Sequence, residues 1–71
     1  MGEIRDIAIR GDMIRLGQLL KLAGVVDSGG EARALLESAA VTVNDETEQR
    51  RGRQLHRGDV IRVGEEAVRV A

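Results

Sequence analysis

Apolar positions along this chain change period twice, and each change marks a structural boundary. Residues 4–9 read IRDIAI, with Ile4, Ile7 and Ile9 grouped. Strict alternation fails between Ile4 and Ile7, but Gly11-Asp12 punctuates the run, so an N-terminal strand and turn are predicted within residues 1–13. From Leu16 the spacing becomes i, i+3, i+4, i+7. Leu16, Leu19, Leu20 and Ala23 share one helix face, and Gly24 stands where a helix C-terminal glycine belongs. A second stripe of the same period follows, at Ala32, Leu35, Leu36 and Ala39. Asp27 or Ser28 can cap this helix, and Ser28 with Glu31 has the capping-box spacing.

After Ala40 the period drops to two. Val41 and Val43 alternate with Thr42, and Asn44-Asp45 signals a turn. Leu55 is an isolated apolar position; Gly58-Asp59 turns the chain before Val60, Ile61 and Val63; a last turn at 64–66 precedes Ala67, Val68 and Val70. The order β-αα-ββββ describes an α+β domain: a helical hairpin of two short helices packed on a small, mostly antiparallel sheet. The two leucine stripes are expected to meet the sheet valines in one core.

Composition narrows what such a domain can do. Its 71 residues make one small domain spanning 1–71, and a chain of this size buries only about 60% of its unfolded surface. Cysteine is absent, which removes disulfides and thiolate metal ligands. His56 is the sole histidine, so no metal site is expected. No phosphate-loop or zinc signature appears and the acids are scattered, so neither catalytic residues nor a cofactor is expected and the protein reads as a non-enzyme. No apolar run is long enough to span a membrane. The expectation is a soluble, monomeric, cytoplasmic protein. Phe, Trp and Tyr are all absent. The core must therefore be aliphatic, and no aromatic ring is available to stack on a nucleobase.

Charge is unevenly distributed. The formal net charge is -1, yet residues 50–57 (RRGRQLHR) hold four of the eleven cations and no acid. That segment carries +4 and the rest of the chain -5. A basic patch on an acidic body suits a specific anionic partner, and the planar guanidinium fork matches phosphate with two parallel hydrogen bonds. The plainer alternative is a solvated hairpin tip balanced by Glu46 and Glu48 just upstream. Gly52 permits either a turn or close backbone approach.

The runs RLGQLLKLAGVVDSGGEARALLESAAVTVND and RRGRQLHRGDVIRV resemble the S-four RNA-binding domain, named for the fourth small-subunit ribosomal protein. The resemblance rests on Arg15-Leu16, Ser28-Gly29-Gly30, Ala32-Arg33, residues 41–44 (Val-x-Val-Asn) and Gly58-Asp59-Val60-Ile61. It covers residues 14–70 and is nearest to the small free-standing bacterial members, which also carry LLKL and a Ser-Gly pair. Three positions depart from the pattern: Gly17 replaces a common Asp, Asp45 replaces a common turn Gly, and Ser38-Ala39-Ala40 lacks the usual Gly. The resemblance implies the helical hairpin and sheet of the S-four fold, or alpha-L motif. It also implies binding to structured RNA, often ribosomal RNA, through a face formed by the hairpin and a neighbouring segment, and hence ribosome association.

On that reading the RNA-binding residues are Lys21, Ser28, Gly29, Arg33, Arg50, Arg51, Arg53 and Arg57, with Arg15 a weaker candidate. The Ser28 turn has two compatible roles, capping its helix and presenting free N–H groups to a phosphate. Without aromatic rings, recognition by backbone, shape and 2′-hydroxyl contacts is favoured, which points to folded RNA over a splayed single strand. Two rivals use the same residues differently. A protein-interaction module would set the arginines against an acidic partner protein. A sulfur carrier would need a Gly-Gly terminus, whereas this chain ends Val-Arg-Val-Ala.

Overall fold

The structure is a computed structural model and describes residues 3–71. Its elements run β1 (Ile4–Ile7), β2 (Ile14–Arg15), α1 (Leu16–Leu22), α2 (Gly29–Glu37), β3 (Val41–Val43), β4 (Glu46–Thr47), β5 (Gln54–Leu55), β6 (Val60–Val63) and β7 (Glu66–Val70). Five strands form a mixed sheet in the order β1-β7-β6-β3-β4, in which only the β1–β7 pair is parallel. The α+β class and the mostly antiparallel sheet expected from the sequence are both present. The N-terminal strand lies beside the C-terminal one, Ile4 opposite Ala67 and Ile7 opposite Val70.

The helical hairpin covers one face of this sheet. Leu16, Leu19 and Leu20 from α1, with Ala32 and Leu36 from α2, are buried against Val41, Val43, Ile61, Val68 and Val70. Leu35 packs against this core from its edge and is half-buried, while its neighbour Leu36 is 1% exposed. The apolar stripe of α2 is therefore narrower than its sequence suggests. Ala39 lies beyond the helix and is exposed.

Both helix ends are set by local chemistry. At the end of α1 the Gly24 N–H donates to the Lys21 carbonyl and the Val25 N–H to the Leu20 carbonyl, each at 3.0 Å. This is a Schellman closure, and the left-handed residue it requires is Gly24, at φ +76°. Ser28, not Asp27, caps α2: its hydroxyl accepts the Glu31 N–H at 3.2 Å. At the other end of α2 the left-handed position falls on Ala39, with φ 62°. There the Ser38 hydroxyl donates to the Leu35 carbonyl at 2.6 Å.

Two sequence motifs are joined across the sheet. Asn44 and Asp45 both have positive φ, 50° and 71°, and make the tight turn between β3 and β4. The Asn44 amide donates to the Asp59 carboxylate at 3.0 Å and accepts the Val60 N–H at 2.9 Å. The Asp59 carboxylate also accepts the His56 N–H at 2.8 Å. Burial pushes the Asp59 carboxyl up, but these hydrogen bonds outweigh it and hold the group below its ordinary value.

Candidate nucleic-acid interface

The arginine-rich segment does not join the main sheet. Gln54 and Leu55 pair instead with Arg15 and Ile14 in a separate two-stranded ladder, which brings residues 50–55 against the start of α1. A helix begins with N–H groups that lack intrahelical acceptors. Arg15 occupies the N-cap position of α1 and supplies no side-chain acceptor. The Leu16 N–H donates instead to the Arg53 carbonyl at 2.9 Å, and the Gly17 N–H to the Arg51 carbonyl at 3.0 Å. The arginine segment is thus the cap of α1.

Within it, residues 50–53 form a β-turn closed by the Arg53 N–H on the Arg50 carbonyl at 3.2 Å. Arg51 and Gly52 are its tip. The two arginines at its ends share one partner, the buried carboxylate of Glu48. Arg50 donates through Nε at 3.0 Å and Nη2 at 3.1 Å, and Arg53 through Nη1 at 2.8 Å. The backbone N–H groups of Gln49 and Arg50 point at the same carboxylate, at 3.1 and 3.0 Å. Hydrogen bonds from Arg50 and then Arg53 hold the Glu48 carboxyl far below the usual carboxylate range, against a smaller opposing effect of burial.

Only some of the sequence candidates converge. An open pocket of about 300 Å³ is lined by Arg15, Gly17, Gln18, Lys21, Gly29, Ala32, Arg51 and Gly52. It gathers Lys21 from α1, Gly29 from the first turn of α2 and Arg51 from the turn tip, and adds Arg15. No carboxylate lines it. Arg51 also borders a neighbouring groove with Arg33, Glu37 and Gln49, and Gly52 a third hollow with Arg50, Arg53 and His56.

Other candidates are differently engaged. Arg33 is exposed and paired with Glu37 at 3.2 Å, one helical turn along. The Ser28 hydroxyl accepts the Glu31 N–H as the helix cap, which leaves its own O–H to donate. Arg57 lies off the pocket, 3.6 Å from Asp12 and donating to the Ile9 carbonyl at 3.3 Å. Arg53 is only partly exposed, because Glu48 draws it in.

Ion pairing separates the cations in a way the sequence does not. Among the described residues six of the eleven cations sit in salt bridges, while Arg5, Arg10, Arg15, Lys21 and Arg51 have no carboxylate within reach. Three of those five line the one pocket. Of these, Arg51 lies in the obvious cluster, while Arg15 and Lys21 read alone as ordinary helix-surface cations. Gly17 and Gln18 carry no sequence signal of a site. Gly17 is buried beneath the turn, where a Cβ would stand 2.5 Å from the Arg51 Cγ.

Among the described residues no group of His, Cys, Asp and Glu is placed to hold a metal ion, and no helix is long and apolar enough to cross a membrane.

A helical hairpin on a mostly antiparallel sheet, with a basic turn docked at the hairpin, defines the class. The family model of the S4 domain matches residues 7–71, and the chain belongs to that family. More particularly, it is 53% identical over 57 residues to the "Probable ribosome maturation protein RlbA" of Bacillus subtilis (strain 168), a match that covers 80% of each chain.

Proposed function

We propose that this protein is a non-enzymatic RNA-binding module that docks on structured RNA, with ribosomal RNA as the target class and ribosome maturation as the setting. One observation carries the reading: Arg15, Lys21 and Arg51, none of them ion-paired, line a carboxylate-free pocket beside the first turn of α2. Such a pocket suits phosphate oxygens, which accept charge-assisted bonds from guanidinium and ammonium groups and further bonds from the free N–H groups of a helix start. Membership of the S4 family and the name of the Bacillus relative support an RNA-binding or ribosome-related role. The absence of any aromatic residue favours backbone and shape recognition over base stacking. The protein would act as a monomer in the cytoplasm, where ribosomes assemble.

The test is a titration of three polyanions at fixed salt: a folded ribosomal RNA fragment, a polypyrimidine strand of equal length, and polyglutamate. The folded RNA should bind tightest. Equal or tighter binding of the polypyrimidine would refute shape recognition. Preference for polyglutamate would favour docking to an acidic partner protein instead.

A further inference from the structure

We infer that Glu48 is a positioning residue for RNA binding: it clamps both ends of the 50–53 turn so that Arg51, at the tip, projects into the pocket with Lys21 and Arg15. The inference rests on the RNA-binding reading above and deepens it. The clamp is built from two directions. The Glu48 N–H donates to the Val41 carbonyl at 3.0 Å, which ties the residue to β3 at the edge of the core. Its carboxylate receives both end arginines and two backbone N–H groups. The turn is therefore held to the sheet through Glu48 and to α1 through the Arg51 and Arg53 carbonyls.

Simple charge counting predicts the opposite role. A carboxylate beside a phosphate-binding face repels RNA, and its removal leaves the face one charge more positive. Four properties argue for positioning. Glu48 is buried, so its charge is spent on Arg50 and Arg53. It does not line the pocket. Its two arginine partners do not line the pocket either. The residue between them that does, Arg51, has no ion pair of its own. Ordering a long side chain costs conformational entropy on binding, and a turn already fixed at both ends removes part of that cost.

The experiment is a double-mutant cycle on the folded ribosomal RNA fragment, using the parent, Glu48→Gln, Arg51→Ala and the double variant. Glu48→Gln should bind about ten-fold more weakly despite its extra positive charge, the loss expected for one charge-assisted hydrogen bond. In the Arg51→Ala background the same change should cause no further loss, because the two act as one unit. Tighter or unchanged binding by Glu48→Gln overturns the inference, as do additive losses. Amide hydrogen exchange tests the same point without RNA. Exchange at Leu16 and Gly17 should quicken in Glu48→Gln while Ile61 and Val68 stay protected; unchanged rates at Leu16 and Gly17 also overturn it. If Glu48→Gln loosens the whole fold, Arg50→Lys, which keeps the charge but loses the two-pronged bond to Glu48, takes its place in the cycle. A parent protein that binds no RNA would refute the proposed function, and the exchange rates would still decide the positioning.

Discussion

The Gly17 N–H donates to the Arg51 carbonyl at 3.0 Å, and a methyl group on Gly17 would stand 2.5 Å from the Arg51 Cγ. The first turn of α1 and the tip of the arginine turn thus meet at a position that has no side chain. Backbone contact there is what brings Arg51 to the same pocket as Lys21.

Gly17→Ala should weaken binding and stability together. Gly17 lies in the first turn of α1, and the added methyl meets the Cγ at the root of the Arg51 side chain, so the turn that caps the helix must shift. Thermal melts should show a midpoint below the parent value. RNA affinity should fall as it does for Arg51→Ala. Unaltered RNA binding would show that Arg51 reaches phosphate from another direction.

Salt dependence should follow the pocket and not the whole cluster. Three phosphate contacts, at Arg15, Lys21 and Arg51, give a log–log slope of about -2 to -3, or roughly 20- to 40-fold weaker binding between 50 and 200 mM salt. Arg51→Ala should reduce the slope by about 0.7–0.9 with little change in folding. Arg57→Ala should leave the slope intact, since Arg57 is held by Asp12 and the Ile9 carbonyl. Arg69, paired with Asp6 on the far side of the sheet, is the control. Arg5 is not a neutral control, because it donates to the Ala23 carbonyl at the end of α1. A slope that falls as much for Arg57→Ala as for Arg51→Ala would extend the contact surface to the whole segment.

Ala39→Gly should stabilise the fold. Ala39 has φ 62°, a left-handed conformation in which a Cβ costs roughly 1–2 kcal/mol. Glycine removes that cost but gains freedom in the unfolded chain, so a net gain of about 0.5–1 kcal/mol is expected from urea denaturation. A loss of stability would mean that the Ala39 methyl makes contacts worth more than the strain.

Acid should weaken the fold through Glu48. Its carboxyl lies below the ordinary value of 4.5 in the folded protein, so the unfolded chain takes up the proton first. The stabilisation is complete above that value and is lost progressively as pH falls below it toward the folded value. Asp59 is shifted in the same direction and adds to the trend. Melting temperature should therefore drop below about pH 4.5, and Glu48→Gln should flatten the drop while lowering the midpoint at neutral pH. An acid profile identical in parent and variant would show that Glu48 does not carry the effect.

Short-range features can be read from the chain. The leucine spacings of α1 and α2, the Ser28 cap, the Gly24 closure and the alternation of β3, β6 and β7 each depend on neighbours a few residues away, and each is legible in the order of the residues. Leu35 packs at the edge of the core and is half-buried, because a stripe's width depends on what packs against it. The site was decided at longer range. That Gln54-Leu55 pairs with Ile14-Arg15, and so sets the arginine turn on α1, depends on residues forty positions apart. Four arginines look equivalent on a charge count, yet Glu48 neutralises two, Asp12 faces a third, and Arg51 alone is left to meet Arg15 and Lys21. Ion pairing falls off steeply with distance, and only the tertiary structure sets those distances.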